Sequence, residues 1–337
     1  MIKYNEIESV HLELSSMCNA NCPGCPRNYY GYPYNNGYVE KNLTLSNVQA
    51  IFRDLDFLRQ LKRIRVEGNF GDFVSNNESI EIFEWLLSIN PDLKMWVVTN
   101  GSAQKLSFWK RLGELGVRVV FSIDGLEDTH KVYRQSTNFK KIISNAKAFI
   151  KAGGHAICKT IIFEHNKHQI KDIEKMTKDL GFAKFDTVIN TRGPLPAFNR
   201  KGTLVNKIDG YDDTIDLKEI LKNRKQNNIL LEDISPYVKN ADNIDCEVCT
   251  TKEIYIDSTG DVYPCCYMGF NPRKYGNGNY FQPVNKQIRK ILHPNNAFRN
   301  RLEVCISWFN KVEESWNKPS VEDGKLVVCI DNCSVNK

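Results

Sequence analysis

Residues 10–27 read Val10-His11-Leu12-Glu13-Leu14-Ser15-Ser16-Met17-Cys18-Asn19-Ala20-Asn21-Cys22-Pro23-Gly24-Cys25-Pro26-Arg27. A short β-rich run, Val10–Leu14, feeds a loop that carries C-x3-C-x2-C. Three thiolates this close cannot complete a tetrahedral zinc site alone, because that site takes four ligands. They suit three irons of a [4Fe–4S] cluster and leave the fourth iron open to an exogenous ligand. Pro23 and Gly24 let the backbone wrap a bulky group.

Outward from this loop, short β-rich runs alternate with helical patterns. Further strands are predicted at Arg63–Glu67, Met95–Thr99, Val117–Ile123, Ile157–Phe163 and Phe185–Asn190, rich in β-branched or aromatic residues and mostly bounded by Gly, Asn or Asp. Ser46 is read as the cap of a helix over Val48–Leu61. Phe139, Ile142, Ile143, Ala146, Phe149 and Ile150 follow helical spacing up to Gly153-Gly154, and Lys167–Leu180 forms another helix ended by Gly181. Strands alternating with helices imply a parallel sheet with right-handed crossovers, either open and doubly wound or closed fully or partly into a barrel. In each case the working loops follow the C-terminal ends of the strands.

The 337 residues carry 46 Lys+Arg against 40 Asp+Glu, a net charge of +6, with 41% hydrophobic and 26% charged residues. This describes an ordinary globular chain of about two domains, or one large α/β domain with an appendage. No apolar run reaches the roughly 18 residues of a membrane span. The N-terminus has no apolar h-region and reads as mature protein. Eleven cysteines are an odd number for a disulfide framework, and ten of them crowd the two ends, with Cys158 alone between. Nothing directs the chain out of the cell, so a cytoplasmic, reducing location and metal-binding thiols are expected.

Three units follow: residues 1–191 as the α/β repeat, 192–245 as a polar connector with one helix near Leu217–Arg224, and 246–337 as a cysteine-rich α+β segment. In the last unit, Cys246-x2-Cys249 precedes a β-hairpin turning at Ser258-Thr259-Gly260, which ends in Cys265-Cys266, and Cys329-x3-Cys333 closes the chain. Four thiolates at such spacings would also suit a structural zinc site. Cys158, Cys266 and Cys305 read as spectators. Five tyrosines in the loop Asn28–Tyr38 would cover the cluster, stack on a ligand, or pack on the rim of the fold.

These features resemble the radical S-adenosylmethionine (SAM) superfamily over roughly Ile7–Thr191. Gly68-Asn69-Phe70-Gly71-Asp72 stands where that family carries its Gly-Gly-Glu-Pro segment. The later strands end in Thr99-Asn100-Gly101, in Ser122-Ile123-Asp124-Gly125 with Arg134 ten residues on, and in Phe163-Glu164-His165-Asn166. The resemblance implies a partial (β/α)6 TIM-like barrel with a small C-terminal cysteine-rich α+β domain. It implies that Cys18, Cys22 and Cys25 hold a [4Fe–4S] cluster whose open iron binds SAM. An electron then cleaves SAM to methionine and a 5′-deoxyadenosyl radical that abstracts hydrogen. Gly71, Asp72, Asn100, Ser122, Asp124, Arg134 and Asn166 are the implied SAM contacts, Asp72 for the amino group, Ser122 for the ribose region and Arg134 for a carboxylate or ribose oxygen. Gly24 replaces an aromatic residue of the family, and Phe70 and Phe73 replace a Gly and the Pro of its segment. Residue chemistry alone offers plainer readings: Ser122 and Asn166 as strand-end hydrogen-bonding groups, Arg134 as an ion-pair residue, and His165 and His168 as capping or surface residues.

The C-x10-G-x4-C spacing from Cys249 resembles the SPASM and shorter twitch extensions of this family, which hold auxiliary clusters. The tight C-x2-C-x5-C-x3-C run of a full SPASM domain is absent. One auxiliary [4Fe–4S] cluster on Cys249 or Cys246, with Cys265, Cys329 and Cys333, is therefore expected.

The leading expectation is an oxidoreductase that acts on a small or sugar-like molecule, served by an external one-electron donor of flavodoxin or ferredoxin type. A cluster loop that begins at Cys18 leaves no room for a leader-binding domain ahead of it, which favours this substrate class. The alternative is a maturase that modifies a peptide or protein side chain. A zinc-containing nucleic-acid-binding module is remote, because a pI near 8.6 and scattered basic residues form no single stripe.

Overall fold

The computed structural model describes residues 1–25, 27–29, 32–33, 39–191, 193–210, 243–270, 287–288, 290–292 and 294–335. Its frame is an eight-stranded sheet of β1 (Ser9–Leu12), β2 (Arg63–Val66), β3 (Lys94–Thr99), β4 (Arg118–Ser122), β5 (His155–Ile162), β6 (Lys184–Ile189), β9 (Glu253–Ile256) and β10 (Val262–Tyr263). A separate antiparallel hairpin joins β7 (Leu195–Phe198) to β8 (Leu204–Ile208). Across the large sheet the order is β10-β9-β1-β2-β3-β4-β5-β6, all parallel except β10. The two edge strands do not meet, so the barrel is partial, and all six strands read from the sequence are present.

Helices cover the outer face. In β3, Met95, Val97 and Thr99 point into that packing, while Lys94, Trp96 and Val98 point the other way. This is the period-2 alternation of a strand with one apolar side. Helix α4 (Leu106–Glu114) packs on α6 (Phe139–Lys151) through Trp109, Leu112, Ile142, Ala146 and Phe149, all fully buried. Burying each large side chain is worth about 1.5–3 kcal/mol. Asn138 caps α6 by accepting from Lys141 N at 2.9 Å, and Gly153 lets the chain turn away at φ +88°. Helix α5 (Glu127–Tyr133) lies between β4 and α6, and α7 (Ile170–Asp179) precedes β6.

Three expectations change. The helix expected over 48–61 is two helices, α1 (Leu45–Ile51) and α2 (Leu55–Gln60). Thr44 rather than Ser46 caps the first, accepting from Asn47 N, and Asp54 leaves the helix to cap the second through Asp56 N and Phe57 N. A carboxylate that caps forward is what breaks the pattern. The hairpin β7–β8 was not anticipated, because Pro194-Leu195-Pro196 reads as a breaker. It stands as an isolated two-stranded ribbon, where a proline is tolerated. The expected hairpin about Ser258-Thr259-Gly260 is present as β9–β10, and β9 pairs in parallel with β1 from Ser9↔Glu253 to Leu12↔Ile256. The cysteine-rich segment therefore supplies strands to the barrel sheet itself.

The rest of that segment is helical: α8 (Glu247–Thr251), α9 (Cys266–Phe270), α10 (Leu302–Ile306), α11 (Phe309–Trp316) and α12 (Val327–Cys333). The helix expected near Leu217–Arg224 lies outside the described residues, as does most of the tyrosine-rich loop.

Candidate functional site

Cys18, Cys22 and Cys25 occupy the loop after β1, and the loops after the next strands grip it. Asp72 N donates to Met17 O at 2.8 Å, Asn100 Nδ2 to Asn19 Oδ1 at 3.1 Å, and Asn21 N to Gln135 O at 2.9 Å. Two side chains reach the sulfurs: Asn100 Nδ2 lies 3.6 Å from Cys18 Sγ and Arg134 Nη1 lies 3.7 Å from Cys22 Sγ. The β7–β8 hairpin closes the other side. Asn21 Nδ2 donates to Phe198 O at 3.1 Å, Arg200 Nη2 donates to Asn19 O at 2.6 Å, and Ala197 and Ile208 pack with Ala20, Cys22, Tyr133 and Phe163. One side of the loop is thus covered by a segment that sequence reading took as connector.

Burial pushes the Cys18 thiol well up, with Asp72 and the thiols of Cys22 and Cys25 adding to the effect. Three crowded thiolates are unfavourable by themselves and become favourable when a cation binds them. Among the described residues no three His, Cys, Asp or Glu side chains converge on a single metal ion. Ligands of a four-iron cluster each take a different iron and stand farther apart. The donor set therefore fits an iron–sulfur cluster.

The loop after β2 approaches β1 so closely that a Cβ on Gly71 would lie 1.9 Å from Ser15 O. Asp72 is buried, and its Oδ2 accepts from Thr99 Oγ1 at 3.0 Å, Asn100 N at 2.7 Å and Asn100 Nδ2 at 2.6 Å. Its Oδ1 receives a longer bond from Val74 N at 3.3 Å. Burial raises the Asp72 pKa against these donors.

Asp124 is fully buried and accepts from Arg134 Nε at 2.5 Å and Ile161 N at 2.6 Å. Burial opposes the Arg134 charge, yet Asp124 and the Cys22 sulfur hold its pKa above the ordinary value. Asn166 donates to Asp124 O and Ile161 O, tying off the strand end as its plainer reading held. Cys158 is fully buried in β5. His165 stacks on Phe163 at 5.2 Å, and neither ring nitrogen has a partner among the described residues.

His130 accepts from Asp124 N at Nδ1, 3.2 Å away, which leaves Nε2 protonated towards Thr137 Oγ1. Burial, then the Arg134 charge, lowers its pKa from 6.5 to about 3. The unfolded chain binds this proton first, so stability is complete above about pH 6.5 and falls as pH drops towards 3. Between pH 7 and 5 the urea midpoint of the wild type is expected to fall more than that of His130→Gln. Equal shifts would show that His130 is not held neutral.

On its inner face the sheet encloses a cavity of about 580 Å³, lined from β2 to β6 and by α8 and β9. Ser122 and Arg134 stand at its rim on the thiol-loop side. The Ser122 hydroxyl makes no hydrogen bond among the described residues. Arg65 spans the wall, donating to Glu67 Oε2 at 3.1 Å, Glu253 Oε1 at 2.7 Å and His11 Nδ1 at 3.2 Å. His11 donates from Nε2 to Glu67 O, and burial followed by Arg65 lowers its pKa to about 4. Glu13, fully buried, accepts from Phe70 N at 2.7 Å and Tyr255 Oη at 2.8 Å, joining the β2 loop to β9. Sequence reading passed over His11, Glu13, Arg65 and Glu253. The signal was the alternation of His11 and Glu13 with Val10, Leu12 and Leu14 in a strand with no polar side to spare.

Behind this wall lies a second cavity of about 50 Å³, lined by Cys246, Cys265, Cys266 and Cys333. It shares Arg65, Glu247, Thr251 and Glu253 with the larger one. Cys246 is hydrogen-bonded with Cys333 and feels Cys265, while Cys265 also feels Cys329. Burial pushes Cys329 up to about 12. Cys249 is exposed and stands outside this group.

Comparison with known proteins agrees with this geometry. No curated protein matches the chain in sequence. The structure of anSMEcpe with bound AdoMet is 18% identical, with a TM-score of 0.55 over 96% of this chain and 89% of that one. Streptococcus suis SuiB bound to S-adenosylmethionine is 16% identical, with a TM-score of 0.52 over 89% of this chain and 72% of that one. SuiB bound to its precursor peptide SuiA is 15% identical at the same TM-score of 0.52, over 89% and 71%. The family model described as Radical SAM superfamily matches residues 12–180, which span the thiol loop and four of the gripping loops. The chain belongs to the radical SAM superfamily and is a radical SAM enzyme.

Proposed function

We propose that the protein is a radical SAM oxidoreductase for a small or sugar-like molecule, with one auxiliary [4Fe–4S] cluster of the SPASM/twitch kind. The observation that carries this reading is one cavity that meets both thiol groups through its lining: Arg134 reaches Cys22 Sγ, and Arg65, Glu247, Thr251 and Glu253 also line the pocket of Cys246, Cys265 and Cys333. When bound, the first cluster and SAM supply one-electron reduction and hydrogen-atom abstraction. Cys18, Cys22 and Cys25 hold that cluster. Asn100 and Arg134 donate to its sulfurs, and such second-shell bonds orient ligands and tune potential. Asp72 Oδ1 takes the SAM amino group, Gly71 lets the loop after β2 press against Ser15 and so sets Asp72 in the site, and Ser122 offers its hydroxyl to the cofactor. Asp124 and Asn166 position Arg134 and the end of β5.

Cys246, Cys265, Cys329 and Cys333 hold the auxiliary cluster, with Cys249 outside it. A cytoplasmic location keeps such thiols reduced, and a flavodoxin- or ferredoxin-type donor supplies the electron. Iron and sulfide counts on anaerobically reconstituted protein test the assignment. Wild type and Cys249→Ser are expected to hold about eight irons and Cys246→Ser about four. Wild-type iron in Cys246→Ser would overturn this ligand set.

A peptide-modifying reading has one observation in its favour. Edge strand β6 leaves the cavity open at Val188 and Ile189, the latter 75% exposed, so that a chain could enter sideways. Ultrafiltration of a cell extract separates the two readings, because the molecule that the enzyme oxidises passes the membrane only if it is small.

A further inference from the structure

In a packed barrel the lumen is filled by branched apolar side chains. Here the wall presents Arg63, Arg65, Glu67, Lys159 and Glu253. Most of that charge is matched internally. Arg65 serves Glu67 and Glu253, and Arg134 serves Asp124. Asp186, opposite Lys159 on β6, is held by Lys184 at 2.7 Å.

The Lys159 side chain makes no hydrogen bond or ion pair among the described residues. Its neighbour in register on β4 is Ser122, whose hydroxyl also has no partner there. Arg63 bonds through Nε to Ser9 Oγ at 3.2 Å. The Glu247 side chain, on α8, is the lining carboxylate with no cation partner among the described residues. Of the strand neighbours of Lys159, Ser122 carries no charge and Asp186 is already held, so the ammonium has no free carboxylate beside it in register. An ammonium with no carboxylate beside it, lining an open cavity, suits an oxyanion. A volume of about 580 Å³ lies within the usual small-molecule range of about 300–1,000 Å³, and SAM takes part of it.

We propose that Lys159 is the anion-recognising residue of the substrate subsite, and that the molecule handled in the lumen carries a carboxylate or a phosphate. This rests on the lumen being the substrate site of the oxidoreductase described above. The test uses the anaerobically reconstituted full chain with SAM, a reductant and metabolites from cells grown in deuterium oxide. Those metabolites are first sorted on an anion exchanger at neutral pH. Deuterium reaching 5′-deoxyadenosine, read by mass spectrometry, marks the fraction that holds the substrate.

Label is expected from the retained fraction. Phosphatase treatment of that fraction abolishes transfer if the group is a phosphate and leaves it intact if it is a carboxylate. With limiting retained fraction, Lys159→Gln is expected to lose at least tenfold through a raised KM, and Lys159→Arg to keep most of the transfer. Wild-type iron content and urea midpoint in Lys159→Gln separate lost recognition from damaged structure. Label from the unretained fraction, or undiminished transfer by Lys159→Gln, overturns the proposal. Label from no fraction at all strikes the oxidoreductase reading beneath it instead.

Discussion

Replacing Cys18, Cys22 and Cys25 together by alanine is expected to abolish reductive cleavage of SAM and to lower bound iron from about eight atoms to about four. The loss of activity is complete because no other described thiols stand at the strand ends that grip this loop. The fold is expected to survive. The loop is tied by backbone and amide bonds, such as Asn21 N to Gln135 O and Asn21 Nδ2 to Phe198 O, that need no sulfur. Each Cys→Ala change removes one small side chain, worth about 1 kcal/mol in a typical site. The measurements are 5′-deoxyadenosine formation under reducing conditions and iron content on the same preparation. Residual SAM cleavage would place the cluster elsewhere, and loss of all iron would remove the second site from the C-terminal thiols.

Arg134→Met is expected to destabilise the protein by about 3–5 kcal/mol, the penalty for leaving a buried charge without its partner. Asp124 is fully buried and the Arg134 side chain is 17% exposed, so solvent cannot take the arginine's place. The Asp124 carboxylate also receives Ile161 N, and its backbone carbonyl receives Asn166, so the end of β5 is disturbed along with α5. The double variant Asp124→Asn with Arg134→Met is expected to regain part of the loss, because no charge is then stranded. Urea unfolding of the wild type, both single variants and the double variant yields the coupling energy. A loss below about 1 kcal/mol in Arg134→Met would mean that water reaches the pair as it does at a surface.

The alternating α/β pattern was legible because every strand carries its own apolar signal and ends on a polar loop. Asn100, Asp124 and Arg134 were singled out through the family resemblance, and the fold brings Asn100 and Arg134 beside the thiol loop and Asp124 against Arg134. Three things were not legible. The partner of β1 on its far side lies 244 residues away, and no local pattern encodes that pairing. The break between α1 and α2 depends on Asp54 capping forward within a stretch whose apolar spacing continues through it. The C-x10-G-x4-C spacing points to Cys249 before Cys246. The one-turn helix α8 between them aims the first at Cys333 and leaves the second in solvent.

The insertion of β9 beside β1 has a consequence for how the molecule is made. Contacts of such sequence separation are formed late, because a long loop must close before any of them stabilises the chain. On the ribosome, β1 and its thiol loop emerge first, yet β1 keeps one edge bare until about three-quarters of the chain has followed. An unpaired edge is a template for wrong strands. Cys246 and Cys265 flank the strand that covers this edge, so closing the sheet sets two of the second group of thiols in place before Cys329 and Cys333 have been made.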